Sequence, residues 1–455
     1  MSKRKLFGTD GIRGTANTYP MTAELAQKVA IAAGSYLREK NRHTAGHRPK
    51  AIIGKDTRLS GYLLEPALTS GFISAGMDVV TVGPLPTPAI SKLVSSMRAD
   101  LGVMISASHN PHHDNGIKLF DAAGYKLSDQ AEYEIEQRIS GDLGQYLVDA
   151  EKLGRAMRLE DARGRYTEFV KSTFPKDLTL EGLKVVVDCA NGAAYKVAPE
   201  VLYELGADVI AIGVEPNGLN INEICGATYP DAVSKAVLEH EADIGIALDG
   251  DADRVIVVDE TGCVVDGDQI IALIAAHWQK KGLLSKPELV GTLMSNLGME
   301  KFLQQNGVTL HRAKVGDRYV MEMMMEKDIN IGGEQSGHVI LKDYATTGDG
   351  LMAALQVLAV VCESKKRTSE VCQVFAPSPQ ILRNIRFTGE DPCDSTAVMS
   401  RIEEAEQILG ENGRIVIRKS GTEPVIRVMA QGFDATLIEK VVNDISEEIE
   451  KVANG

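Results

Sequence analysis

Three carboxylates at alternate positions are the clearest chemical signal in this sequence. Asp249-Gly250-Asp251-Ala252-Asp253-Arg254 lies between two apolar runs, Ile244 to Leu248 and Val255 to Val258. Such runs read as strands. In extended chain alternate side chains share a face, so Asp249, Asp251 and Asp253 can converge on one point. Three carboxylates that close repel one another unless a cation sits between them. A hard divalent ion with oxygen ligands is the natural occupant, and Mg²⁺ suits a site that also receives a phosphate oxygen. Glu260 stands where an EF-hand calcium loop begun at Asp249 would end, but Arg254 occupies the position that needs Gly, and the flanks are strand-like rather than helical. A solvated acidic turn remains the plain alternative.

A second stretch supplies a candidate nucleophile. Leu101 to Ile105 reads as a buried strand ending in Ser106-Ala107-Ser108-His109-Asn110-Pro111. A serine at a strand end is well placed to react: Ala107 leaves room for a substrate, and Asn110-Pro111 fixes a turn expected to present Ser108 outward. Lys118, in Asn115-Gly116-Ile117-Lys118, can deliver a proton if a neighbouring charge or partial desolvation lowers its pKa. His109 and His338 compete for that role. On these residues alone a plain turn is the commoner meaning, and a serine-hydrolase triad lacks its G-x-S-x-G elbow.

Two further loops offer recognition chemistry. Gly332-Gly333-Glu334-Gln335-Ser336-Gly337-His338 has hydrogen-bonding groups suited to sugar hydroxyls or an amine, although a turn is equally compatible. Arg418-Lys419-Ser420-Gly421-Thr422-Glu423-Pro424, with Arg427 close behind, offers guanidinium forks, hydroxyls and backbone amides, the chemistry of phosphate capture. Ordinary surface arginines are the alternative. Gly8-Thr9-Asp10-Gly11-Ile12-Arg13-Gly14 and Lys55-Asp56-Thr57-Arg58-Leu59-Ser60 each place an arginine in a polar loop and mean little alone.

The elements that must carry these loops repeat one plan. Ala51 to Gly83, Val185 to Gly213 and Leu289 to Gly316 each read as an apolar strand, a helix and a second strand. That order predicts βαβ units with parallel pairing, hence three α/β domains of similar plan with mixed, mostly parallel sheets. Past Pro377-Ser378-Pro379, strands at Ile381 to Phe387 and Gly413 to Arg418 and an amphipathic helix at Ala435 to Val452 predict a smaller C-terminal α+β domain. Ile270 to Trp278 and Leu351 to Val361 are apolar enough to be buried helices, but too short for the roughly 18 residues of a membrane span.

Composition limits the partners. The chain has 455 residues, 44% hydrophobic and 25% charged, with a formal net charge of −14. The charge disfavours attraction to nucleic acid or anionic membrane, so an anionic small molecule must be captured by local cationic pockets. The basic Met1-Ser2-Lys3-Arg4-Lys5 is not followed by a signal-peptide core, and the six scattered cysteines form no C-x-x-C pair. A cytoplasmic protein with reduced thiols is expected.

Taken together and in order, Gly8 to Gly14, Ser106 to Pro111, Asp249 to Arg254, Gly333 to His338 and Arg418 to Pro424 resemble the α-D-phosphohexomutase family. The resemblance implies four domains around a central cleft, at 1–158, 159–260, 261–375 and 376–455. It implies a phosphosugar mutase in which phosphorylated Ser108 carries the phosphoryl group, and Ser108, through a phosphate oxygen, joins Asp249, Asp251 and Asp253 in holding Mg²⁺. Lys118 and Arg13 would lie at the reacting centre. Glu334, Ser336 and His338 would meet the sugar, and Arg418, Ser420, Gly421, Thr422 and Arg427 the non-reacting phosphate. Lys419 departs from the Pro that many relatives carry, which touches local rigidity rather than the donors. Phe7 to Gly14 and Gln335 are most similar to bacterial members acting on glucosamine phosphates, whose product feeds UDP-N-acetylglucosamine and cell-wall synthesis. Glucose or mannose phosphates, a phosphohydrolase and a non-catalytic sensor are the competing expectations. A homodimer is left open.

Overall fold

Residues 6–40, 48–387, 392–419 and 425–454 are described by the structure, a computed structural model. The first unit runs β1 (Ile12–Thr15), α1 (Ala23–Lys40), β2 (Lys50–Lys55), α2 (Gly61–Ser74), β3 (Asp78–Pro84), α3 (Thr87–Ser96), β4 (Leu101–Ile105), β5 (Asp114–Phe120), α4 (Asp129–Ile139) and β6 (Ala156–Arg158). Its sheet has the order β1-β5-β4-β2-β3-β6. β2 lies parallel to β3 and β4, as the βαβ pattern predicts, while β5 returns antiparallel between β4 and β1. That return places Lys118 beside the end of β4, from which the Ser108 loop departs.

The second unit contains α5 (Ala162–Lys171), β7 (Lys184–Asp188), α6 (Val197–Glu204), β8 (Asp208–Ile212), α7 (Asp231–His240), β9 (Ile244–Leu248), β10 (Val255–Asp259) and β11 (Val264–Val265). β7 is parallel to β8 and β9, and β9 turns back into antiparallel β10 through the acidic loop. Every residue of β9 and β10 is buried, which is why they read as unbroken apolar runs.

The third unit begins with α8 (Gly267–Lys281) and continues through β12 (Glu288–Thr292), α9 (Leu297–Gln305), β13 (Thr309–Ala313), α10 (Asp317–Lys327), β14 (Ile331–Gly333), β15 (Val339–Leu341), α11 (Gly350–Ser364) and α12 (Thr368–Cys372). α8 and α11 are the two apolar segments, buried as expected and capped by Asp266 and Asp349, whose carboxylates accept from Gln269 and Met352 amides. The fourth unit has β16 (Gln380–Arg386), α13 (Thr396–Leu409), β17 (Gly413–Lys419), β18 (Val425–Gly432) and α14 (Ala435–Asn454), with β18 central in an antiparallel sheet.

One buried apolar cluster runs from a face of the first sheet through the second unit into α8 and α11. The fourth unit has its own cluster around Ile426, Val428, Ile438 and Ile445. Its ties to the third unit include polar ones: Arg414 donates to the carbonyls of Leu293 and Ser295, and Asn296 grips Ser378. Among the described residues no helix is long and apolar enough to cross a membrane.

Candidate active site

Ser108 sits in the loop leaving β4, and it is buried rather than presented outward as the turn residues suggested. Its Oγ donates to Asp249 Oδ2 at 2.5 Å, drawing it inward onto the acidic loop of the second unit. His109 Nδ1 is 3.4 Å from the same Oγ. Burial, with Arg254 and Arg13 nearby, lowers the His109 pKa to about 4, so that ring is neutral in neutral solution.

The three aspartates converge as expected, though through a turn with Ala252 left-handed at φ +57° rather than through extended chain: one oxygen from each lies within 4.8 Å of the others, and all three residues are buried. Burial and the charges of Asp253 and Asp251 push Asp249 up to about 8. Burial also opposes charge on Asp253, but Lys118 and His338 outweigh it and hold that carboxyl low. Asp251 Oδ1 and Asp253 Oδ1 are buried with no hydrogen-bond partner. Crowded carboxylates with orphaned oxygens are the donor set that a hard divalent cation satisfies, so these residues fit Mg²⁺.

Lys118 Nζ reaches Asp251 at 2.9 Å, Asp10 at 3.2 Å and Asp253 at 3.4 Å from a fully buried position. The sequence-based condition for proton delivery, a lowered pKa, is reversed. Burial alone would depress the lysine, yet Asp10, Asp251 and Asp253 more than compensate and hold it well above its ordinary value. Lys118 is an ammonium in its donor form. Arg13 pairs with Asp10 and reaches the Ala107 carbonyl, at a long 3.4 Å. Asp10 also pairs with Lys126, which bridges at 2.5 Å to Asp317 at the start of α10.

The sugar-type loop abuts this cluster. The Val255 amide donates to the Gly337 carbonyl, and Gly337 has φ +89°, a left-handed turn that favours glycine. His338 is buried, with Nδ1 3.6 Å from Asp253 and Nε2 accepting from the Gly348 amide. Burial disfavours the imidazolium, but Asp253 and Asp317 raise its pKa. Glu334 accepts from the Gly316 amide at 3.0 Å, and Ser336 is exposed at the tip. The Gln335 amide donates to Asp266 at 3.1 Å, bracing the loop on the cap of α8. A cleft of about 1140 Å³ between the first and third units reaches Gly8, Thr9, Lys126 and Asp317, beside the Ser108–Lys118 cluster rather than over it.

Arg418 and Arg427 face each other across β17 and β18. Burial and Arg427 lower the Arg418 pKa, and Arg427 Nε is buried without a partner. Opposed like charges weaken a sheet unless an anion joins them, so the pair suits a phosphate. Ser420, Gly421 and Thr422 lie outside the described residues.

Four consecutive domain models of the phosphoglucomutase/phosphomannomutase type match the chain: domain I at 4–143, domain II at 164–262, domain III at 266–377 and the C-terminal domain at 358–448. The chain belongs to the phosphoglucomutase/phosphomannomutase family. It is 61% identical over 447 residues to the phosphoglucosamine mutase of Parvibaculum lavamentivorans, covering 98% of this chain and 99% of that one. In fold it resembles a phosphoglucomutase/phosphomannomutase family protein from Burkholderia thailandensis, with TM-score 0.83, 22% identity and coverage of 99% and 98%. It also resembles Aspergillus fumigatus N-acetylphosphoglucosamine mutase, solved with GlcNAc-6P and magnesium, with TM-score 0.67, 18% identity and coverage of 99% and 96%.

Four residues of the site are not among the candidates that the sequence singles out. Asp10, Lys126 and Asp317 form the ionic chain beside Lys118, and Arg254 lies against the acidic triad. Asp10 and Arg254 stand inside quoted motifs. Lys126 and Asp317 are 191 residues apart and meet only in the fold.

Proposed function

We propose that this chain is a cytoplasmic phosphoglucosamine mutase, interconverting glucosamine 6-phosphate and glucosamine 1-phosphate through phosphorylated Ser108 and a bound 1,6-bisphosphate. The observation that carries the chemistry is the buried Ser108 Oγ bonded to Asp249 within an acidic triad. The choice of glucosamine rests on full-length relatives of that name at 57–61% identity.

In the forward direction the Oγ–P bond at Ser108 breaks as O1 of glucosamine 6-phosphate bonds to phosphorus, and the O1 proton is lost while Oγ gains one. The bisphosphate reorients, and Ser108 Oγ then takes the phosphoryl group from O6 as the O6–P bond breaks, Oγ losing its proton and O6 gaining one, which releases glucosamine 1-phosphate. Phosphoryl transfer asks the protein chiefly for positioning and charge neutralisation. Arg13 and the Lys118 ammonium supply fixed positive charge, and Lys118 is the candidate proton donor to Oγ, with His109 and His338 the other carriers within the cluster. Asp249, Asp251 and Asp253, with a phosphate oxygen on Ser108, would hold Mg²⁺, which withdraws charge from the phosphoryl oxygens when bound. Glu334, Ser336 and His338 would grip the sugar, while Arg418, Ser420, Gly421, Thr422 and Arg427 would hold whichever phosphate is not reacting. The separate core of the fourth unit supports closure over ligand and loosening for reorientation.

Ser108→Ala should abolish both turnover and ³²P labelling of the protein; retention of either sinks the assignment. A parallel assay with glucosamine, glucose and mannose phosphates tests the sugar, and a higher kcat/KM for either rival would replace glucosamine.

A further inference from the structure

We propose that Asn222, acting with Arg58, is a positioning residue that holds the phosphoryl-carrying Ser108 in register with the metal loop. This inference rests on the phosphoserine reading above. Ser108 has φ +53°, a left-handed conformation that a side chain with a Cβ adopts only under constraint. The constraint is visible. The Ser108 carbonyl accepts from Arg58 Nη2 and from Asn222 Nδ2, both at 2.9 Å. The same two donors reach the Asn110 carbonyl at 2.8 and 3.1 Å, and Arg58 Nη1 takes the Pro111 carbonyl at 2.5 Å. On the amide side, Ser108 N donates to Ser106 Oγ at 2.9 Å.

The two clamps come from different units. Arg58 belongs to the first unit and is fully buried, its fork aimed by Asp56 through Nε and the backbone amide. Asn222 belongs to the second unit, which also carries Asp249. Its own backbone is left-handed at φ +58°, a conformation asparagine tolerates, and its amide is tied to the Ala190 carbonyl. Asn222 therefore fixes the Ser108 peptide to the unit that supplies the metal carboxylates. A Cβ at Gly250 would come within 2.6 Å of the Ser108 carbonyl and 2.8 Å of Asn222 Nδ2, so the acidic loop closes directly over this bond. With Oδ1 turned toward the two carbonyls the amide would meet only acceptors, so the geometry requires a donor at this position.

The test uses the full-length enzyme with Asn222→Asp, which keeps the shape but loses the donor, and Asn222→Gly, which keeps the left-handed backbone. Mutase kcat and KM, phosphate on Ser108 by intact mass, and the thermal midpoint are measured for each. Both variants should fold and lose about 10- to 100-fold in kcat with KM unchanged, the scale produced by misplacing a reacting group. An unchanged kcat overturns the inference, as does a loss expressed in KM. Ser108→Ala run alongside separates the two claims: full turnover there removes the phosphoserine reading itself, whereas a dead Ser108→Ala with fully active Asn222 variants removes only the clamp.

Discussion

Asp268 gives the most searching test of the electrostatics in the third unit. Its carboxylate is fully buried at the start of α8, where Oδ2 accepts from the Asn296 amide at 2.7 Å and Oδ1 has no partner. Burial first, then the neighbouring Asp266 charge, raises its pKa from 3.8 to about 7. The folded protein therefore binds a proton more tightly than the unfolded chain, and stability falls as pH rises from the unfolded value through the folded one. At about 1.4 kcal/mol per pH unit the full penalty is roughly 4 kcal/mol, and about 2–4 kcal/mol after local relaxation. Asp268→Asn keeps an acceptor for Asn296 but cannot ionise. Denaturant midpoints of the two proteins, compared at each pH so that shared titrations cancel, should coincide near about pH 4 and diverge to a plateau above about pH 7, the variant being the more stable. A difference that stays constant with pH, or a less stable variant in alkaline solution, would refute the reasoning.

Other consequences can be checked in the same preparation. Gly250→Ala should destabilise the protein by about 1–3 kcal/mol in equilibrium unfolding, because its Cβ has no room against the Ser108 carbonyl, and turnover should fall with it. Mg²⁺ at about 100 times its dissociation constant should stabilise the protein by roughly 2.7 kcal/mol; Asp251→Asn, removing a carboxylate whose Oδ1 is unpartnered, should cancel most of that rise in a thermal-shift series. Arg427→Gln should raise KM for the phosphosugar by roughly 10-fold or more, the scale of a lost charge-assisted hydrogen bond. Its unfolding midpoint should hold or rise, since the guanidinium opposite on Arg418 is relieved.

Much of the fold is local and therefore legible. The unbroken apolar runs at Ile244 to Leu248 and Val255 to Val258 became β9 and β10, since buried strands need apolar side chains on both faces. Asp249, Asp251 and Asp253 do converge, but not by the alternation of an extended chain: the segment is a tight turn in which the Ala252 amide donates to the Asp249 carbonyl at 3.0 Å and Ala252 is left-handed at φ +57°. Gln335 shows the limit: its motif position is visible, but its amide braces Asp266.

By itself, then, the sequence determined the three βαβ units, the distinct fourth unit, the acidic loop and the serine at a strand end, all set by short-range periodicity and turn chemistry. Only tertiary structure decided that Ser108 is buried against Asp249, that Lys118 is clamped among three carboxylates, and that Lys126 spans Asp10 and Asp317. It also set Asn222 and Arg58, 164 residues apart by number, on one carbonyl. Such contacts join residues 50 to 191 positions apart, and their energies depend on burial and on charges brought close in space, quantities that no local pattern of side chains encodes.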